Sequence, residues 1–446
     1  MALFGTDGIR GLANSELTAE LALDVGVAAA HILIESLGST ATRPRAIIGR
    51  DSRASGEFLE SAVVAGLTSA GVDVYRVGIL PTPAIAFLVA QSKADLGVMI
   101  SASHNPMPDN GIKLFARGGG KLDDTLESAI EARLREPWQR PVGRDVGRII
   151  NDETLSQKYI DHLLSTLQLK LSGIKVVIDC ANGAASFVAP EVLRRAGAEV
   201  IAVSNTPDGW NINDGCGSTH LDSLRQHVLK NSADIGIALD GDADRCLVVD
   251  KSGADVDGDQ ILAILAIALK STNQLKSNTV VGTVMSNLGF VKAMEDNGIQ
   301  VLKTAVGDRY VLEKMLQDGL NLGGEQSGHV ILKDHANTGD GTLTALHVLQ
   351  EIKRSEKSVR DLAAVVVRFP QVLINVKGVA KEKLAESKAI AVAVSSAEQE
   401  LGETGRVLLR ASGTEPLVRV MVEASSDTVA LAIANKLAQV VTQELG

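Results

Sequence analysis

The segment Asp234–Asp250, DIGIALDGDADRCLVVD, is an apolar run, then three acids at alternate positions, then a second apolar run. Two short β-branched and aliphatic runs around a polar turn read as strands of a buried sheet. The same grammar recurs along the chain. RAIIGRD (Arg45–Asp51) precedes a helical stretch near Gly56–Ala70, followed by DVYRVGIL, another helix and LGVMISAS. After a charged helical stretch near Asp152–Leu167 it restarts with IKVVIDCANGA, a helix from Ala189, and AEVIAVSN. It restarts again at VDGDQILAILAIALK, with TVVGTVMSN, VLKTAVGDRY and LNLGGEQSGHVIL. Strand–helix alternation at this spacing predicts α/β units with largely parallel sheets. After Phe369 the pattern changes to PQVLINVKGV, a long helix to Leu401, two strand-like runs and a closing helix. The expectation is three similar α/β domains with mostly parallel, mixed sheets plus a smaller C-terminal α+β domain, divided at 1–151, 152–254, 255–368 and 369–446.

Bulk properties narrow the function. The chain has 446 residues, a formal charge of −10 and only 3% aromatics. With no basic run, a nucleic-acid site of cation patches and stacking rings is excluded. The longest purely apolar run, Ile261–Leu269, is far short of a membrane span. The first residues show no basic segment followed by an apolar one, so no signal peptide is expected. Cys180, Cys216 and Cys246 fall in no ligand spacing and read as free thiols in a reducing, cytoplasmic compartment.

The acids of LDGDADRC carry the strongest chemical signal. In extended backbone, residues two apart point the same way, so Asp240, Asp242 and Asp244 would converge. Three such carboxylates repel unless a cation sits among them, and hard oxygen ligands suit Mg²⁺. An EF-hand is ruled out, because its sixth and twelfth positions would be Arg245 and Lys251. A solvated acidic turn is the alternative. In RASGTEPLVR, Ser412, Gly413 and Thr414 offer hydroxyls and close backbone N–H groups, while Arg410 and Arg419 offer forks for a phosphate. GGEQSGH places Glu325, Ser327 and His329 after a glycine pair, a weaker signal for sugar hydroxyls. In FGTDGIRG and GRDSRASG, Arg10, Arg50 and Arg53 read singly as turn or surface salt-bridge residues. GVMISASHNPMPDNGIKLF (Gly97–Phe115) leaves a strand to present Ser103, a potential nucleophile, His104 and Lys113. No G-x-S-x-G elbow occurs there. A serine, an acid-bound cation and a phosphate clamp point to phosphoryl transfer.

SASHNP, DGDADR, GEQSGH and RASGTEP occur in that order, one per segment. Together they resemble the α-D-phosphohexomutases, over essentially the whole chain. FGTDGIRG, VGDRYV (Val306–Val311) and SGTEPLVRVMVE resemble the branch that acts on glucosamine phosphates. The resemblance implies an active site in the central cleft between the four domains, which carry in turn the phosphoserine, metal, sugar and phosphate loops. It implies interconversion of glucosamine 6-phosphate and glucosamine 1-phosphate for cell-wall precursors, through a phosphoserine enzyme and a sugar 1,6-bisphosphate. It selects Ser103 over Ser101 for phosphorylation. It assigns one Mg²⁺ to Asp240, Asp242, Asp244 and the phosphoserine, and Arg245 to holding that phosphoserine. It gives the sugar hydroxyls to Glu325 and Ser327, and the distal phosphate to Ser412, Gly413, Thr414 and Arg419, with Arg410 nearby. Arg10, Lys113 and His329 become active-site charges and proton-transfer candidates. The implied partners are small hexosamine phosphates, with no nucleic acid or membrane, and a homodimer is left open. A glucose- or mannose-phosphate mutase, or a silent sugar-phosphate binder, are the rivals. Two departures stand out. Ala243 replaces a frequent glycine, so no positive φ is expected there, and Asp308 replaces a frequent histidine of the glucose and mannose enzymes.

Overall fold

A computed structural model of the protein describes residues 3–5, 7–37, 43–412 and 417–446. Four sheets follow one another along the chain. The first contains β1 (Ile9–Leu12), β2 (Arg45–Arg50), β3 (Asp73–Ile79), β4 (Leu96–Ile100), β5 (Asp109–Ala116) and β6 (Ile149–Asn151), in the order β1-β5-β4-β2-β3-β6. The second contains β7 (Lys175–Asp179), β8 (Glu199–Val203), β9 (Ile235–Leu239), β10 (Cys246–Asp250) and β11 (Asp255–Val256), ordered β11-β10-β9-β7-β8. The third contains β12 (Thr279–Thr283), β13 (Gln300–Thr304), β14 (Leu322–Gly324) and β15 (Val330–Leu332), ordered β13-β12-β14-β15.

These three sheets share one wiring. In each, two strands pair in parallel, a third adds in parallel, and the chain then turns back antiparallel: β3-β2-β4-β5, β8-β7-β9-β10 and β13-β12-β14-β15. The sequence restarts are therefore structural repeats. Helices cover both faces, which is why β4 (LGVMI) and β9 (IGIAL) are apolar and buried throughout rather than alternating. The fourth sheet, β16 (Gln371–Lys377), β17 (Arg406–Ala411) and β18 (Leu417–Glu423), is wholly antiparallel with β18 central. The helices Lys388–Leu401 and Asp427–Leu445 pack with it. One buried apolar cluster runs through the first three units, whereas the last keeps its own core, from Val376 to Leu445.

This wiring sets up the site. The antiparallel return in each unit is a hairpin, and each of the four ordered motifs falls at such a return: 101–108 between β4 and β5, 240–245 between β9 and β10, 325–329 between β14 and β15, and the end of β17 in the fourth unit. The fourth loop lies partly outside the described residues.

The seam between the second and third units carries three histidines. The His162 Nε2 lies 2.9 Å from the His335 carbonyl, and its ring stacks on Phe87 at 4.3 Å. The His335 and His347 rings are 5.1 Å apart, and His347 Nε2 is 3.2 Å from the Thr166 hydroxyl. Burial, with His335 adding to it, pushes His347 down to about 4, and His162 and His335 are also lowered by burial. The unfolded chain therefore takes up protons near pH 6.5 that the folded chain refuses until about pH 4. Stability should fall as the pH drops through that window and level off below it. Urea melts of His347→Gln should show a shallower acid limb than the parent between these limits; an identical limb would assign the acid sensitivity elsewhere.

Candidate active site

Between β4 and β5 the chain places Ser103 at φ +53°, a left-handed conformation that a serine adopts only when its surroundings enforce it. The enforcer is Arg53. It is fully buried, and all of its guanidinium nitrogens are used. Its Nε donates to Asp51 (2.9 Å), Nη1 to the carbonyls of Pro106 (2.6 Å) and Asp109 (3.1 Å), and Nη2 to those of Ser103 (3.0 Å) and Asn105 (2.8 Å). Asn213, from the second unit, donates to the Ser103 carbonyl at 2.8 Å. The surface role expected of Arg53 is thus wrong. A planar fork bonded to four loop carbonyls and a carboxylate is a loop-shaping device, which a single arginine in a glycine-rich stretch did not reveal.

The two serines part company here. Ser101 donates its hydroxyl to Asp51 at 2.7 Å and accepts the Ser103 N–H at 2.9 Å. Ser103 donates to Asp240 at 2.6 Å, and His104 Nδ1 stands 3.3 Å from the same hydroxyl. The loop does not display its chemistry to bulk solvent, as the sequence suggested: Ser103 and Lys113 are 1% and 2% exposed. Burial, reinforced by Arg245 and Arg10, pushes His104 down to about 4.

The acids converge, but not by strand alternation. Residues 240–245 form a turn in which the Ala243 N–H donates to the Asp240 carbonyl at 3.0 Å, and Ala243 sits at φ +57°. The expectation of an ordinary φ at this position is overturned. Buried packing of the methyl group offsets a left-handed strain of about 1–2 kcal/mol. The ligand oxygens of Asp240, Asp242 and Asp244 all lie within 4.8 Å of one another and are buried. Asp240 is held by both oxygens, Asp242 and Asp244 by one each. Asp240 takes the Ser103 hydroxyl, and its other oxygen accepts the Arg245 N–H at 3.2 Å. Asp242 Oδ2 accepts Thr82 Oγ1 and Lys113 Nζ, the latter at 2.8 Å. Asp244 Oδ2 faces His329 Nδ1 at 3.6 Å. The Oδ1 atoms of Asp242 and Asp244 are buried without a hydrogen-bond partner. Burial and the two neighbouring acids hold Asp240 well above the usual carboxylate range. Orphaned buried oxygens on converging hard ligands are what a divalent cation would satisfy, so the residues fit Mg²⁺.

Cations ring this loop. Lys113 is also bonded to Asp7 at 2.8 Å; burial works against its charge, but Asp242 and Asp7 outweigh it and raise its pKa. Arg245 bridges backbone-to-backbone with His329, and its pKa is raised, burial being outweighed by Asp244, Asp240 and Glu325. Arg10 pairs with Asp7 and reaches Asn105 of the serine loop at 3.4 Å. His329 is 2% exposed, and the Gly339 N–H points at its Nε2 at 3.1 Å, which leaves Nδ1 to face Asp244. Glu325 accepts the Gly307 N–H at 2.9 Å, and the buried Ser327 hydroxyl has no partner among the described residues. Arg410 and Arg419 form a second group, directly opposite each other on β17 and β18; burial and Arg419 lower the pKa of Arg410. Ser412 is buried, and Lys381 donates to its carbonyl at 2.6 Å. Gly413 and Thr414 lie outside the described residues. Asp7, Thr82, Lys121 and Asn213 were missed; only Asp7 carried a signal, its place in FGTDGIRG.

The chain matches the four parts of one family in order: phosphoglucomutase/phosphomannomutase α/β/α domain I over residues 1–140, domain II over 157–253, domain III over 257–369 and the C-terminal domain over 373–440. A phosphoglucosamine mutase of Streptomyces griseus is 60% identical over 449 residues, covering 100% of this chain and 99% of the relative. A phosphoglucomutase/phosphomannomutase family protein of Burkholderia thailandensis superposes with a TM-score of 0.84 at 24% identity, covering 100% of this chain and 98% of the other. An Aspergillus fumigatus N-acetylphosphoglucosamine mutase, solved with GlcNAc-6P and magnesium, shares the fold with a TM-score of 0.70 at 18% identity, covering 99% and 95%.

Arg53→Met should destabilise the protein by about 3–5 kcal/mol, because it strands the buried Asp51 carboxylate and frees the serine loop. Chemical denaturation measures the loss. A cost below about 1 kcal/mol, within the range of an ordinary surface substitution, would show that Arg53 does not shape the loop.

Proposed function

The chain belongs to the phosphoglucomutase/phosphomannomutase family, and we propose on that footing that it interconverts glucosamine 6-phosphate and glucosamine 1-phosphate by way of a phosphorylated Ser103. The chain is a mutase, an intramolecular phosphotransferase, and relatives about 60% identical over the full length carry that specificity. The observation that carries the assignment of Ser103 is its hydroxyl, 2.6 Å from Asp240 on a loop pinned from two units.

In the forward direction, phospho-Ser103 would give its phosphoryl group to the free C1 hydroxyl of the sugar 6-phosphate. The Oγ–P bond breaks as the new O–P bond forms, and the hydroxyl proton passes to a base in the cleft. The resulting 1,6-bisphosphate turns over, and its 6-phosphoryl group returns to Ser103 while the 1-phosphate is released. Mg²⁺ held by Asp240, Asp242 and Asp244 with the phosphoserine would neutralise charge on the transferring group. Arg245, beside that loop, would hold the phosphoserine, and Glu325 and Ser327 would bind sugar hydroxyls. Arg410, Ser412 and Arg419, with Gly413 and Thr414, would hold the phosphate that is not reacting. Two guanidinium groups side by side on neighbouring strands favour an anion between them. Lys113, bonded to two carboxylates, serves better as a fixed positive charge than as a proton donor. His329 is enclosed and orients Asp244.

The reading implies a division at 151/152, 254/255 and 368/369. It implies a cytoplasmic enzyme acting on small hexosamine phosphates that supply UDP-N-acetylglucosamine and cell-wall synthesis. No helix among the described residues is long and apolar enough to cross a membrane.

Ser103→Ala should abolish turnover while the fold survives, since the substitution removes one hydroxyl and leaves the Arg53 scaffold in place. A coupled assay with glucosamine, glucose and mannose phosphates tests both points. Glucosamine phosphate should give the highest kcat/KM and mannose phosphate the lowest; a tenth or more of parental activity in Ser103→Ala would move the nucleophile elsewhere. Turnover should also stop in excess chelator, and Asp242→Asn should raise the Mg²⁺ requirement, because the loop loses charge around the cation. Undiminished activity in chelator would sink the metal assignment.

A further inference from the structure

Lys121 lies outside every motif the sequence displayed. It follows a glycine-rich turn after β5, in which Ala116 N–H bonds to the Gly120 carbonyl at 2.7 Å. Gly119 sits at φ +79°, where a Cβ would come within 2.0 Å of the Ala86 carbonyl oxygen, so the turn admits only glycine there. That turn presents a lysine whose side chain is only 15% exposed. Its ammonium is shared by two carboxylates from distant parts of the chain: Asp7, in the N-terminal loop, and Asp308, at the head of the third-unit helix Asp308–Asp318.

Both carboxylates lead onward to the acid loop. Asp7 Oδ2 lies 2.8 Å from Lys113 Nζ, which lies 2.8 Å from Asp242 Oδ2. Asp308 Oδ2 lies 3.6 Å from His329 Nε2, whose Nδ1 lies 3.6 Å from Asp244 Oδ2. One ammonium therefore stands at the head of an alternating chain of charge, Lys121–Asp7–Lys113–Asp242, that ends opposite an orphaned Oδ1 atom, and it also pairs with Asp308, the carboxylate beside the ring that faces Asp244. We propose that Lys121 is a positioning residue for the cation site: it holds Asp7 so that Lys113 stays on Asp242, and it holds Asp308 off the His329 ring that faces Asp244, keeping both acids at the spacing a divalent ion needs. This rests on the mutase reading only for its effect on turnover.

The physical case is one of competition. Remove the Lys121 charge, and Asp7 keeps only Lys113 and Arg10 as partners and draws Lys113 toward itself, away from Asp242. Asp308 is left facing His329 with no cation beside it and competes with Asp244 for that ring. Both changes loosen the outer supports of the ligands while leaving the ligands in the sequence. Losing such support costs a metal site about 10–100-fold in affinity or activity.

The test compares the full-length parent with Lys121→Met, Lys121→Gln and Lys121→Arg. Mn²⁺ is titrated directly, with free ion followed by electron paramagnetic resonance, and kcat and KM for glucosamine 6-phosphate are measured at saturating Mg²⁺. Lys121→Met should bind Mn²⁺ at least about tenfold more weakly and lose kcat by a similar factor, with KM little changed. Lys121→Gln, which also lacks the charge, should weaken Mn²⁺ binding in the same direction, and Lys121→Arg should restore most of it. Parental Mn²⁺ affinity in Lys121→Met overturns the proposal. If that variant does not fold, parental affinity in Lys121→Gln does so instead. A parent protein without mutase turnover, but with the Mn²⁺ shift intact, would fail the mutase reading and leave the bracing standing.

Discussion

Three carboxylates buried with their ligand oxygens within 4.8 Å of one another repel, and the rest of the site is organised around containing that repulsion. Backbone and side-chain groups hold both oxygens of Asp240 and one of each other acid: Ser103 and the Arg245 N–H on Asp240, Thr82 and Lys113 on Asp242, His329 on Asp244. These supports come from the first, second and third units, so the acid loop works only when all three are assembled. Low solvent access makes the arrangement worth more than the same charges would be in water, and makes any unpartnered oxygen costly. A divalent cation relieves that cost, and a phosphorylated serine beside it would find its charge already matched.

The repeat explains why the parts arrive together. Each α/β unit ends its parallel run with an antiparallel return, and the hairpin loops of the three returns carry the serine, the acids and the sugar-binding candidates. A return hairpin is the natural place for chemistry, because its strands are held by the sheet while the loop backbone is free to take unusual conformations. Ser103 at φ +53° and Ala243 at φ +57° both use that freedom. The fourth, all-antiparallel unit repeats the idea with β17 and β18 and has its own core. A unit with a separate core can shift as a body.

Much of this was legible in the sequence. The α/β alternation was plain because parallel strands buried on both faces read as short continuous apolar runs, and the acid triplet was plain because its spacing is regular. What sequence could not supply was the means of convergence. Strand alternation was the right kind of argument applied to a turn: the acids meet because Ala243 takes a left-handed conformation that an alanine disguises. Arg53 was misread for a related reason, since nothing local tells a surface arginine from one whose donors find a carboxylate and four carbonyls across a loop. Lys121 and Thr82 were invisible because their roles depend on partners 114 to 187 residues away.

The measurement that tests the account most directly follows one phosphoryl group. Protein phosphorylated at Ser103, established by peptide mass spectrometry, is mixed with a stoichiometric amount of glucosamine 6-phosphate and Mg²⁺ and quenched within a single turnover. The account predicts that Ser103 loses its phosphoryl group as sugar 1,6-bisphosphate appears in equal amount, before glucosamine 1-phosphate accumulates. Glucosamine 1-phosphate formed while Ser103 keeps its original phosphoryl group, or phosphate released to water with no bisphosphate, would contradict it.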